Sequence, residues 1–261
     1  MLASIARLER ECRHVARVAG GRIAIRYAAA IAGALPQIVR TGTLAAADEL
    51  MHEREDLLTV RVEGVNLVLP ARCFSGIREM YARRVYLRPP GFRLRSGDTV
   101  IDLGCNQGLF TLLAAKIGAK VIALDAQMGF GEALAEHLER NGCTERVTFI
   151  AGLVGASAGL FADTAALSAG SHYRGEPASV DMAELIADLD RVDFLKVDIE
   201  GSEFHIFSGT QPWVRKISRL AMEVHPEFGE PRQIVNWLSN VGFDVSITDD
   251  GYVYAARRDA V

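Results

Sequence analysis

The chain has 261 residues, 49% apolar and 24% charged, with 29 basic against 33 acidic side chains and a net charge of −4. These totals are ordinary for a soluble globular protein, either one large α/β domain or a domain with an added segment, and they argue against wholesale nucleic-acid binding. Cys12, Cys73, Cys105 and Cys143 have no zinc or C-x-x-C spacing. The arginine-rich N-terminus is no secretory signal, and no uncharged apolar stretch reaches the ~18 residues of a membrane span, so a cytoplasmic protein without a transmembrane segment is expected.

Residues 1–56 read as a helical extension rich in alanine and arginine, with helical apolar spacing to about residue 50 and breaks at Gly20-Gly21 and Pro36. Its run from Ile23 to Leu35 is apolar except for Arg26. That run is expected to pack on the main domain or to form a homodimer contact, with a membrane surface or a partner as the other reading. Residues 57–91 make a covering segment. Leu57 to Leu69 alternates around Glu63-Gly64 as a β-hairpin, and Phe74 to Tyr86 reads as a helix carrying Arg78, Glu79, Tyr81, Arg83 and Arg84. Pro89-Pro90-Gly91 then breaks the chain before a core domain over 92–261.

The stretch from Thr99 to Asp125 reads as strand, glycine turn, helix, strand. Val100-Ile101 ends in Asp102, the turn Gly104-Cys105-Asn106-Gln107-Gly108 opens the helix from Leu109, and Val121 to Leu124 ends in Asp125. This is the beginning of a nucleotide-binding α/β sheet, with Asp125 placed to hydrogen-bond ribose hydroxyls. The turn has an acid before its first glycine, no third glycine of the dinucleotide fingerprint and no basic residue. A carboxylate there repels phosphate and suits a cationic ligand or an amino group, which favours S-adenosylmethionine over a dinucleotide.

Further along, Glu132 to Arg140 reads as helix, Val147 to Ile150 as strand and Asp181 to Leu189 as a short helix. The Gly/Ala/Ser-rich segment 151–179 is long enough to be a functional loop, and its His172-Tyr173-Arg174 is a candidate acceptor contact or plain solvent-exposed surface. Phe194 to Val197 and Leu220 to Met222 read as strands, Glu203 to Phe207 and Gln233 to Leu238 as helices. Two last strands, Phe243 to Ile247 and Tyr252 to Ala255, flank the turn Asp249-Asp250-Gly251. The expected fold is α/β, a Rossmann-like and mostly parallel sheet with an antiparallel C-terminal edge hairpin.

Polar clusters stand at three strand tips: Asp102 with the glycine turn, Asp198 to Glu203, and Glu223-Val224-His225-Pro226. In such a sheet the ligand lies beyond the carboxyl ends of the strands, so these clusters should converge on one cleft. Glu223 and His225, two apart, would share a face of an extended strand.

The segments DLGCNQG, VDFLKVDIEGSEFHIFSG and LAMEVHP, within Phe92 to Pro226, resemble the FkbM-type family of S-adenosylmethionine-dependent methyltransferases. The resemblance implies a class I methyltransferase sheet and methyl transfer to an oxygen, less often to a nitrogen, of a small molecule or sugar. Asp102, Gly104, Asn106 and Gly108 fall on the family's cofactor loop. Asp125 keeps the ribose-binding acid, but Ala126-Gln127 follows where the family usually has proline, so Gln127 is the candidate for the adenine side. The reaction needs alignment of donor and acceptor and removal of a proton. His225 as neutral imidazole is the expected general base, with Asp198 and Glu200 orienting acceptor, base or sulfonium. Glu203 reads as an acid in a first helical turn, favourable with the helix dipole. Asp198 with Glu223 or His225 could instead hold a magnesium-like ion that acidifies an acceptor hydroxyl. The rival readings are a non-catalytic binding module and, more weakly, a nicotinamide oxidoreductase.

Overall fold

A computed structural model describes residues 2–52, 56–155 and 177–258. The chain divides into two compact units: Met1–Arg88 with Arg140–Gly142, and Pro89–Glu139 with Cys143–Val261.

The first unit opens with four helices, α1 (Leu2–Ala19), α2 (Gly21–Gly33), α3 (Leu35–Thr41) and α4 (Ala45–His52). Glycines punctuate them: Gly20 and Gly42 have φ of 84° and 73°, a backbone that other residues reach only at a cost. The hairpin β1 (Leu57–Val62) and β2 (Val65–Pro70) turns at Glu63 and Gly64, both at positive φ, as expected for a two-residue turn. Residues Phe74–Gly76 form a short helix, α5, which widens into a π-helical turn over Ile77–Ala82. The helix expected to reach Tyr86 stops there, and Arg84 takes up φ 55° with its guanidinium paired to Glu63 at 2.6 Å. Phe74 and Tyr81 are fully buried, and Phe74 packs on the Tyr27 ring at 4.9 Å.

Arg78 is the buried hub of this unit. Its Nη2 reaches Asp48 Oδ2 at 2.8 Å, its Nε donates to the same carboxylate, and its Nη1 lies 3.3 Å from Glu11 Oε2. Burial opposes its charge, but the bonds and charge of Asp48, then Tyr27 and Glu11, hold it more firmly protonated than a free guanidinium. One side chain thereby ties α1, α4 and the π-helical turn together.

The second unit is built on a seven-stranded sheet. Its strands are β3 (Thr99–Leu103), β4 (Lys120–Asp125), β5 (Val147–Ala151), β8 (Phe194–Val197), β9 (Arg219–Glu223), β10 (Phe243–Ile247) and β11 (Tyr252–Arg257). The order across the sheet is β10-β11-β9-β8-β3-β4-β5, with β5 through β9 parallel. The last hairpin is antiparallel within itself, but β11 and not β10 pairs with β9, so the antiparallel strand is one in from the edge. Between β5 and β8 a short parallel pair, β6 (Leu153–Val154) and β7 (Ser179–Val180), precedes α8 (Met182–Leu185). That helix is shorter than expected and is capped by Asp181, whose carboxylate accepts from the N–H groups of Ala183 and Glu184. His172, Tyr173 and Arg174 lie outside the described residues.

β3 and β8, near-continuous apolar runs, are buried on both faces, as parallel central strands must be. One face packs Ile101, Leu103, Leu195, Val197 and Leu220 with Trp213, Ile234 and Leu238. The other stacks Phe92, Phe110, Phe194 and Tyr254, with ring centroids 5.3 to 6.1 Å apart. Helices α6 (Leu109–Ile117), α7 (Gly129–Asn141), α9 (Glu203–Ile206) and α10 (Pro231–Asn240) complete the alternation. No described helix is long and apolar enough to cross a membrane.

Candidate active site

Strand order reverses between β3 and β8, because the chain proceeds outward on one side to β4 and β5 and on the other to β9. The carboxyl ends of β3 and β8 therefore meet where an α/β sheet opens a crevice. They meet closely: a Cβ on Gly104 would fall 1.7 Å from the Asp198 carbonyl oxygen, and its φ of 72° is itself in the left-handed region. Gly108, at φ 77°, is equally committed, since a Cβ would strike Leu134 at 2.3 Å.

Asp102 is completely buried near the tip of β3. Its Oδ2 accepts from Thr111 Oγ1 at 2.6 Å, and Lys196 Nζ stands 3.1 Å from its Oδ1. The same Nζ donates to the Gly104 carbonyl at 2.6 Å and lies 3.7 Å from Asp198. The cation beside this acid is an ammonium of the chain itself. A carboxylate deep in an apolar sheet needs a counter-charge, and Lys196 from the neighbouring strand supplies it. Burial works against the Lys196 charge, yet Asp102 and Asp198 hold it protonated.

The turn amides are all used internally. Gly104 and Cys105 donate to the Leu124 carbonyl, Gly108 to that of Cys105, Asn106 to Asp125 Oδ2 at 2.8 Å and Gln107 to the Asn106 side chain at 2.7 Å. A loop that cradles a pyrophosphate must aim such groups at the phosphate instead. This turn is closed to one, which speaks against the nicotinamide reading. Asp125 sits at the tip of β4, nearly buried, with Oδ1 accepting from Gln127 N at 2.8 Å. Burial raises its pKa while the two backbone N–H bonds oppose the rise, and each oxygen keeps a lone pair for a hydroxyl. Gln127 contributes its backbone here, beside the exposed Met128.

The second cluster rises from the β8 and β9 tips. Nε2 of His225 lies 3.5 Å from Glu200 Oε2 and 4.0 Å from Asp198 Oδ1. On the other side, Glu203 Oε1 receives the His225 backbone N–H at 2.8 Å and stands 3.0 Å from Nδ1. Glu203 Oε2 accepts from Gly201 N at 2.8 Å, and the side chain is wholly enclosed. Glu200 carries this geometry at φ 51°, a left-handed conformation uncommon for a side chain of its kind.

Burial alone would strip the His225 proton, but the Glu203 bond and charge, with Glu200 and Asp198, outweigh it and push its pKa up to about 9. Where the sequence suggested a neutral general base, these carboxylates hold the imidazole towards its charged form. Burial raises the Glu200 carboxyl pKa, with His225 opposing and Asp198 adding to the rise.

Asp198, Glu200 and His225 also offer three ligand atoms mutually within 4.8 Å, a donor set of two oxygens and one nitrogen that suits a divalent cation. Glu223 is not among them. β9 ends at Glu223, so it and His225 do not share an extended strand, and the Glu223 carboxylate accepts from Tyr252 Oη at 3.0 Å.

A crevice at the reversal point of this strand order, edged by the glycine turn and Asp125, is that of a class I methyltransferase, whose methyl donor is S-adenosylmethionine. The chain belongs to the FkbM-type methyltransferases, the methyltransferase FkbM domain matching residues 102–245. The 31-O-demethyl-FK506 methyltransferase FkbM of Streptomyces tacrolimicus is 28% identical, the match covering 70% of this chain and 89% of that one. Ribosomal protein L11 methyltransferase of Citrobacter koseri is 42% identical over 53 residues, 20% of this chain and 18% of that one. Among solved structures, precorrin 8W decarboxylase of Methanobacterium thermoautotrophicum superposes with a TM-score of 0.42 at 18% identity, covering 62% of this chain and 83% of its own.

Proposed function

We propose that this protein transfers the methyl group of S-adenosylmethionine to a hydroxyl oxygen of a small molecule. The observation that carries the reading is the convergence of Asp198, Glu200 and His225 beside the glycine turn. The FkbM relative, named for a 31-O-demethyl substrate, supports an oxygen acceptor.

The bound donor supplies an electrophilic methyl, so the chain's own residues need only hold, align and deprotonate. Asp125, fixed by the amides of Asn106 and Gln127, accepts the ribose hydroxyls, and Gln127 lines the adenine side. The space over Gly104, where backbone replaces any side chain, receives the amino-acid end. Glu200, whose raised pKa brings it nearer to proton exchange, takes the hydroxyl proton together with Asp198. His225, held by Glu203, stays charged, balances the two carboxylates and fixes their spacing.

A second arrangement of the same residues rests on their donor geometry. Asp198, Glu200 and His225 would hold a divalent cation, with magnesium, manganese and zinc as the ions to try. Such an ion lowers the pKa of a bound hydroxyl. Glu203 would then orient the ligating imidazole through Nδ1.

The test is transfer of labelled methyl from S-adenosylmethionine to a panel of hydroxylated small molecules, before and after exhaustive chelation. Label in an ether product supports the O-methyltransferase reading, and label found only on nitrogen contradicts it. Loss on chelation with recovery on adding a divalent ion assigns the cation; unchanged turnover assigns the carboxylates as the base. A folded protein that binds no donor would instead favour a non-catalytic module.

A further inference from the structure

We propose that the α2–α3 face of the first unit docks on an anionic lipid bilayer. Helix α2 buries Ala24, Tyr27, Ala30 and Ile31, and helical periodicity leaves Ile25, Ala28, Ala29 and Ala32 on the opposite side with Arg22. Helix α3 buries no residue at all. Ile25, Leu35 and Val39 are 73%, 46% and 78% exposed, three of the seven large apolar side chains that stand exposed among the described residues. A solvent-facing helix surface is normally polar, so a stripe of isoleucine, leucine, valine and alanine calls for a cover.

Charge selects the occupant. No aspartate or glutamate stands between Glu11 and Asp48, although the whole chain carries a net −4. The same stretch holds Arg13, Arg17, Arg22, Arg26 and Arg40. Arg13 pairs with Glu9 at 3.3 Å and Arg26 with Asp56 at 3.2 Å, whereas Arg22 and Arg40, exposed, precede and follow the apolar stripe.

A two-fold contact with a second copy would set arginine against arginine across the stripe with no acid in it to compensate. A free polyanion would satisfy the guanidinium groups but leave Ile25, Leu35 and Val39 in water. An anionic bilayer meets both demands: lipid phosphates accept bidentate bonds from arginine while the aliphatic side chains enter the boundary between headgroups and acyl chains.

The experiment is co-sedimentation of the full chain with vesicles of phosphatidylglycerol and phosphatidylcholine, and with phosphatidylcholine alone. Two double variants accompany it, Ile25→Asp with Val39→Asp and Arg22→Gln with Arg40→Gln, each checked for native circular dichroism and melting. The proposal expects retention on the anionic vesicles, weakened about tenfold on neutral ones, by either variant, or by about 0.5 M salt. It is overturned if anionic and neutral vesicles retain the chain equally, or if the variants bind as well as the parent. It is likewise overturned if light scattering finds a dimer that Ile25→Asp with Val39→Asp dissociates, which would give the face to a second copy.

Discussion

At the scale of single residues, the site depends on who neutralises whom. His225 binds its proton more tightly in the folded protein, at about 9, than an ordinary imidazole at 6.5. Its contribution to stability is therefore fully present below pH 6.5 and is lost as pH rises through about 9. Urea unfolding in chelator should show a midpoint that falls between these limits by more than in His225→Gln; parallel curves for the two proteins would contradict the pairing. Glu203→Gln keeps the shape of the side chain and removes its charge, so the His225 pKa, read by NMR titration, should drop towards 6.5. Turnover should fall about tenfold or more with little change in donor affinity. An unmoved titration would demote Glu203 to the helix-turn acid it resembles in sequence. Replacing Lys196 by Met strips the counter-charge from buried Asp102 and should cost about 3–5 kcal/mol, measurable by denaturant unfolding. Pairing it with Asp102→Asn should recover much of that loss.

At the scale of elements, tight turns and buried pairs decide whether the parts hold their places. Gly104→Ala places a methyl against the Asp198 carbonyl and strains a backbone at φ 72°. It should destabilise the second unit by about 3 kcal/mol and abolish donor binding. Arg78→Met leaves buried Asp48 without its counter-charge and Glu11 with Arg83 alone at 3.8 Å, a loss of about 3–5 kcal/mol that should appear as early unfolding in a thermal melt. Local pattern made much of this legible in the sequence. The glycine turn, the Glu63-Gly64 hairpin and the strands ending at Leu103, Asp125 and Val197 are written in alternation, apolar runs and glycines. Partnerships across strands were not legible. Lys196 meets Asp102 only through the parallel register of β3 and β8, and Glu203 meets His225 only because α9 folds back on the tip of β9. Glu203 was also masked by a sufficient local explanation, an acid in a first helical turn. The π-helical turn after Gly76 and the insertion of β11 between β9 and β10 answer to tertiary packing, which no local period encodes.

At the scale of the whole molecule, one unit carries the chemistry and the other a basic, apolar face, and each can be tested by itself. In the catalytic unit, the sheet brings its polar residues to the carboxyl tips of β3, β4, β8 and β9 and keeps the opposite ends for structure. There Arg219 pairs with Asp98 at 3.2 Å, and Asp193 accepts the Thr99 N–H at 2.9 Å. A division of this kind predicts that Arg219→Ala lowers the melting temperature while leaving donor affinity unchanged, which thermal shift with and without S-adenosylhomocysteine would read. The most direct measurement of the central claim is calorimetric titration of the purified chain with S-adenosylhomocysteine, repeated on Asp125→Asn. The account predicts saturable binding that weakens about tenfold or more in the variant, in which one acceptor oxygen of the carboxylate is lost. A folded wild-type chain that binds no S-adenosylhomocysteine, or a variant that binds it equally well, would contradict it.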